Sequence, residues 1–344
     1  MATMERCRKA IERIAFGGAY LPQAFSIEMP DPQTEIAVWL HGMGEPIDVT
    51  DHLSMACADP FTVCIGFEGR KVPVATGCGY LSLHICDRSG QKHPLAEIGL
   101  DPGSGTVVPA DGIGLVLFRA KYCRNHCLPR RHLLAHYCRY KFSLWRNVDI
   151  PGRRMSFLER RAVMAMFIRP HPVVLLSLCG REGGNMFPMN ILGNLGAGYF
   201  SLALKESRAA AHLVEGAGRV AISNVPLSQT ATAYKLGVNH RKQSIKWNEL
   251  PFLTKLSPVF GVPVPVFAHR VRELEVESVH RLGSHMFFLT RIVSDEAVPN
   301  SAGLCIIHGF YQRWRLRGRN TEIQASLVAD QMNKRGVSHD ELPL

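Results

Sequence analysis

The residues best placed to do chemistry are Lys205, Ser207 and Arg208, in the segment LALKESRAAAHL. An apolar strand-like run leads into a basic turn, and a helix-forming alanine run follows. A helix start presents unpaired amide groups and a partial positive charge, so adding Lys and Arg there makes an anion site without special geometry. Paired basic residues also occur on solvated helix faces, but their place directly after a strand favours the anion. His285, in GSHMFF, stands beside an apolar strand, where a histidine serves either as a hydrogen-bonded barrel residue or in proton chemistry. Cys123, His126, Cys127, His132, His136 and Cys138 are zinc-capable types packed closely. They share one segment with CxxxC spacing instead of two separate knuckles, so no metal is expected.

These residues need elements to hold them. Residues 1 to 20 read as a short amphipathic docking helix, with Ile11, Ile14 and Ala15 at helical spacing. From Glu35 the signals turn to strands: EIAVWLHG, PFTVCIGF, GYLSLHIC and GIGLVLFRA, each bounded by Gly, Pro or Asp. Arg130 to Asn147 reads as a helix that ends near a Pro151-Gly152 break, and MSFLERRAVMAMF as a second helix with a Ser156/Glu159 capping box. The reading then runs strand (PVVLLSLCG), loop (REGGNMFPMNILGNLGAG), strand (YFSLALK), helix (ESRAAAHLVEGAG) and strand (RVAISNVP). An insert from Gln229 to Pro265 precedes two last strands, in GVPVPVFAHRVRELEVESVHRL and HMFFLTRIVSDEA. The absence of regular βαβ alternation argues against a doubly wound parallel sheet.

The expected domains are 1–150, β-rich and of open role; 151–167, a connecting helix; 168–318, a small barrel with one covering helix; and 319–344, a helical tail. With 344 residues, 46% hydrophobic and 20% charged, the chain has a globular composition. No run of about eighteen apolar residues occurs and the first residues carry charges, so no membrane span or signal peptide is expected, and the expected location is cytoplasmic. The net charge of +11 suits anionic partners. It comes without a helix-turn-helix, zinc-finger, RNA-recognition or KH signature, so nucleic acid is not an expected partner.

The run from Arg169 to Val225, together with GSHMFFLTRIV, resembles the flavin reductase-like family. That resemblance covers about residues 168–318 and implies a mainly β fold with some α, an FMN-binding split β-barrel. In the first domain, ACADPFTVCIGFEGRK places Asp59 and Pro60 before an apolar strand much as the family's barrel strand is preceded, which makes that domain a candidate degenerate related barrel. By position, the resemblance implies that Asn185, Met189, Asn190 and Gly193 lie against the isoalloxazine and ribityl groups. It implies that Lys205, Ser207 and Arg208 meet the FMN phosphate and that His285 lies near the flavin or a nicotinamide. Two departures bear on the phosphate: Ala210 where the family often has Thr, and Gly196-Ala197 where it has a Pro-Pro pair.

The activity implied is that of an FMN-dependent oxidoreductase, with FAD as the other flavin some members take, and NAD(P)H as a transient donor reducing flavin or a small acceptor. A small-molecule substrate and a homodimer are implied with it. No GxGxxG fingerprint is present, so a nicotinamide would bind only transiently on the flavin. Two other readings stay open at this point: a noncatalytic flavin-binding or redox-sensing protein, and an anion- or nucleic-acid-binding barrel that has lost flavin.

Overall fold

The computed structural model describes residues 24–30, 35–69, 72–73, 79–88, 94–146, 155–180, 183–299, 301–312 and 325–326. The docking helix expected over residues 1–20 and the Pro151-Gly152 break lie outside them. β1 (Ala24–Met29) is followed by seven strands of a first sheet: β2 (Ile36–His41), β3 (Ile47–Asp48), β4 (Leu53–Ala58), β5 (Phe61–Glu68), β6 (Leu81–Asp87), β7 (Pro94–Val108) and β8 (Ile113–Asn125). Helices α1 (Arg130–Arg146) and α2 (Phe157–Met166) come next. The capping box of α2 forms as its sequence predicts. Glu159 N donates to Ser156 Oγ, and Ser156 N donates back to the Glu159 carboxylate. This fixes where the helix starts and lets Ala162–Met166 face inward.

After β9 (His171–Pro172), a second seven-stranded sheet is built from β10 (Val174–Gly180), β11 (Gly183–Met189), β12 (Leu192–Gly196), β13 (Tyr199–Lys205), β14 (Arg219–Asn224), β17 (Arg270–Leu282) and β18 (His285–Ala297). Helix α3 (Ala209–Ala217) links β13 to β14; α4 (Thr230–Lys235) and the small hairpin β15 (Thr254–Leu256) and β16 (Pro263–Pro265) lie in the insert. β19 (Gly303–His308) pairs with β1 and β9, and β20 (Ala325–Ser326) pairs with the other edge of β1. The segment expected as a helical tail thus contributes a short strand, and its other residues lie outside the described ones.

The two large sheets repeat one plan. The first has the order β3-β2-β6-β7-β8-β5-β4 and the second β11-β10-β14-β17-β18-β13-β12. Counting strands within each half, both read 2-1-5-6-7-4-3, with every neighbouring pair antiparallel. The protein is mainly β, with a split barrel in its C-terminal half and a barrel of the same topology before it.

The second barrel fills with Leu176, Phe187, Leu202, Val220, Leu274 and Phe288, and α3 closes one opening with Ala210, Ala211 and Val214. Alternate residues of the same strands face the other way. Leu175, Met186, Ile191 and Ala203 join a core shared with the first barrel. That two-sided burial is why the stretch Gly183–Met189 and Leu192–Gly196, read from sequence as one loop, is two strands. Its glycines are required by tertiary contact: a Cβ on Gly184 would fall 2.3 Å from the Trp247 ring, and one on Gly193 would fall 2.9 Å from Ser54 Cβ.

Candidate functional site

Lys205 is the last residue of β13 and His285 the first of β18, and the antiparallel register sets them directly opposite each other. The turn beyond them is tight: Arg208 N donates to Lys205 O at 3.0 Å, and Glu206 N to Ser284 O at 3.1 Å. Arg208 then caps α3 in an extended conformation, φ −102° and ψ 141°, with no side-chain capping bond and no acid in the first turn. Most helices offset their first amides with Ser, Thr, Asp or Asn. Here two cations stand at that end instead, so the turn favours an anion. Lys205 and Arg208 are partly exposed and Ser207 is exposed.

A second wall lies over β11. The turn-like segment Leu236–Arg241 is clasped by Asn185, whose Nδ2 donates to Asn239 O at 3.1 Å and Lys242 O at 2.8 Å while its Oδ1 accepts Met186 N at 2.7 Å. Asn239 Nδ2 donates to Met186 O at 2.9 Å. The Asn185 amide is therefore engaged in holding the wall. The wall brings in His240, whose Nε2 donates to Pro188 O at 2.7 Å and whose ring lies 4.6 Å from Phe187.

Burial, aided by the charges of Arg208 and Lys205, lowers His240 to a pKa of about 4. His285 is likewise lowered to about 4 by burial and by Lys205. Lys205 thus acts on both histidines and Arg208 on His240. Both imidazoles stay neutral at pH 7.

His285 is held from the first barrel's side. Ser284 Oγ accepts Asp59 N at 3.2 Å and shares a hydrogen bond of 2.7 Å with His285 Nδ1. Cys57 of the first barrel lies 3.7 Å from the same Nδ1 and donates to Leu282 O; burial pushes its thiol upward, so it stays protonated.

Met189, Asn190 and Gly193 lie toward the opposite end of the barrel. Gly193 pairs with Ser201, four residues from Lys205, a separation of ~13 Å along the strand. Met189 belongs to the barrel core. Asn190 is 1% exposed, and neither atom of its amide has a hydrogen-bond partner, an arrangement that costs about 1–3 kcal/mol unless something fills it. Gly193 also borders a cleft of about 620 Å³ whose polar lining includes Arg169, Asn194, Asn224, Arg270 and Arg272, with Phe200 among its apolar lining. The eight positions singled out by sequence therefore split into a cationic end (Lys205, Ser207, Arg208, His285), a supporting residue (Asn185), and a distal group (Met189, Asn190, Gly193) of which Gly193 lines the cleft. Cys57 is not marked by the sequence, since it arrives from a distant segment, whereas His240 stands beside Arg241 and Lys242 in the insert as a group able to meet an anionic substrate, and the structure brings it within reach of Lys205 and Arg208.

The zinc-capable cluster has other bonds. Cys123 Sγ donates to Arg161 O and Cys127 Sγ to Leu95 O, and among the described residues no group of metal-ligating side chains assembles.

No family model and no curated protein matches the chain. Solved structures do. An FMN-binding protein from Thermus thermophilus with bound 1-cyclohex-2-enone is 25% identical, covering 37% of this chain and 71% of its own, with a TM-score of 0.34. An NADH:FAD oxidoreductase from Streptomyces globisporus is 14% identical over 47% and 95%, with a TM-score of 0.37. The styrene monooxygenase flavin reductase of Pseudomonas putida is 20% identical over 39% and 85%, with a TM-score of 0.33. The structures that this chain is similar to are flavin reductases and FMN-binding split barrels, each matching less than half of it.

Proposed function

We propose that the second barrel binds a flavin mononucleotide noncovalently and serves as an NAD(P)H-dependent oxidoreductase acting on flavin or a small acceptor. The observation that carries this is the α3 turn, where Lys205 and Arg208 flank a helix start that carries no capping side chain, with His240 and His285 beside it. The orphaned amide of Asn190, toward the far end of the barrel, supports a ligand long enough to reach past the turn. A compact anion would meet only one of these features; an elongated phosphorylated ligand would meet both.

In this reading Lys205, Arg208 and the first amides of α3 hold the phosphate, with Ser207 beside them. FAD would place its diphosphate at the same turn. Asn185 keeps the His240 wall closed over β11, and the Asn190 amide meets polar atoms of the ring system. His285 offers an imidazole that is neutral at pH 7, able to orient a phosphate or a nicotinamide amide without adding charge. The flavin, when bound, supplies the two-electron chemistry. The cleft beside Gly193 is the place for a small acceptor. The expected setting is the cytoplasm; among the described residues no helix is long and apolar enough to cross a membrane.

The test is an absorption spectrum of protein incubated with FMN, desalted, and titrated anaerobically with NADH and NADPH. Retained flavin that bleaches with either nucleotide supports the proposal. Retained flavin that neither nucleotide reduces makes the protein a noncatalytic flavin binder, and loss of the flavin band on desalting overturns the proposal altogether.

A further inference from the structure

The first barrel repeats the second strand for strand, and the two are packed face to face. The contacts between them are reciprocal. Gly66 on β5 lies so close to β12 that a Cβ would fall 2.0 Å from Leu195 O, while Gly193 on β12 lies so close to β4 that a Cβ would fall 3.0 Å from Leu53 O. The β17–β18 turn of the second barrel grips the β4–β5 turn of the first: Ser284 N donates to Asp59 O at 2.7 Å, and Gly283, at φ +76°, leaves no room for a side chain against Pro60. In the other direction, the β7–β8 turn reaches Tyr199 at the start of β13, with Asp111 N donating to its hydroxyl at 2.8 Å, and Gly112 stands at φ +75°.

Between these grips lies one apolar cluster drawn from both halves, including Ala56, Cys64 and Leu115 with Leu195, Tyr199 and Phe287. Residue i of one half meeting j of the other while the equivalent of j meets the equivalent of i is the signature of a two-fold interface. Here it is built within one chain.

The register also shows what the first barrel lacks. In the second, the last residue of the fourth strand faces the first residue of the seventh as Lys205 opposite His285; in the first, the same two positions are Glu68 opposite Ile113. An acid replaces the cation, and an apolar side chain packed against the partner barrel replaces the imidazole. An anion has nothing to bind at that pair.

We infer that the first barrel is a built-in second subunit in which, among the described residues, no counterpart of the Lys205–His285 pair stands: it backs the β17–β18 turn that carries His285, and one chain holds one ligand site without a second copy. The chain then takes the place of the homodimer that the family resemblance implied. The one-site part rests on the flavin proposal; the built-in subunit does not, and it is measured separately.

Light scattering on the eluting full-length chain is expected to give the mass of one chain, 38.2 kDa, with or without FMN. A stable species of twice that mass overturns the built-in subunit even if no flavin binds. Equilibrium dialysis with FMN is expected to give one equivalent per chain, and two equivalents overturn the loss of the first site. No binding sinks the flavin proposal, while the mass still decides this one. Glu68→Lys should leave the bound equivalent unchanged and Lys205→Gln should weaken it at least tenfold, with circular dichroism confirming that both fold. The reverse pattern would place the site in the first barrel.

Discussion

Replacing Lys205 and Arg208 together by alanine removes the two cations from the start of α3 while leaving the backbone amides in place. A hydrogen bond to a charged group contributes about 1.5–3 kcal/mol. Both side chains are partly exposed, so water and salt screen them and the low end applies. The pair then accounts for about 3 kcal/mol, and FMN affinity should fall roughly 150-fold, with each single variant falling about tenfold. The assay is quenching of flavin fluorescence at fixed ionic strength. Lys246→Ala, an exposed cation paired with Glu249 on the insert, is the control and should leave affinity unchanged. The substituted sites bury little, so urea unfolding should shift by less than about 0.5 kcal/mol. A double variant that binds FMN as tightly as the parent refutes the assignment of the phosphate to this turn.

Other perturbations probe the scaffold. Gly66→Ala drives a Cβ into the Leu195 carbonyl, and because backbone cannot step aside it should cost more than the usual overpacking of about 1–3 kcal/mol, as read by urea unfolding. An equal cost at Gly79, where nothing lies within 4 Å and φ is not positive, would show that the inter-barrel contact is not the cause. Glu273 is fully buried and accepts from Ser257 Oγ at 2.6 Å, Val259 N at 2.9 Å and Phe260 N at 2.6 Å, so Glu273→Ala should destabilise by about 2–3 kcal/mol and increase hydrogen exchange over residues 257–262. Unchanged exchange there would count against the clasp. Acid should also destabilise the fold. His171, His240 and His285 are lowered to about 4 and His308 to about 3, chiefly by burial, so between their folded values and the usual 6.5 only the unfolded chain takes up these protons. Stability is therefore fully present above about pH 6.5 and falls as pH drops toward 4, by about 1–2 kcal/mol per histidine by pH 5. A melting temperature flat from pH 7.5 to 5 would contradict this.

The parts of the fold that follow local rules could be read from the sequence. The Ser156/Glu159 box placed α2, the apolar runs placed β5, β6, β8, β10 and β13, and the alanine run after Arg208 placed α3. The parts that follow tertiary demand could not. β11 and β12 carry glycines because Trp247 and Ser54 press against them, which locally reads as a loop. β7 passes through Asp101-Pro102-Gly103-Ser104-Gly105, a turn-like string absorbed by a bulge in the ladder with β8. The hint at Asp59-Pro60 pointed to a related first barrel, but its equivalence to the second emerges only from strand order. The placement of Lys205 and Arg208 at a helix start and of His285 at a strand start was legible because turn chemistry and an apolar run mark them. The engagement of Asn185 with the 239–242 segment was not, since its partners lie more than fifty residues away.

The pairing of β1 with β19 joins Ala24 to His308, positions separated by roughly 280 residues, with β20 closing the far edge of β1. A ribosome would have made both barrels before it produced the partner of β1. Through most of synthesis that strand offers an open edge, with Ile27 and Met29 lacking their final cover. Each barrel can gather its own hairpins early, but the sheet tying the ends together forms last, after the costliest loop closure in the molecule. In the cell, this latch is the step at which a holdase or an aggregating neighbour would compete with native folding.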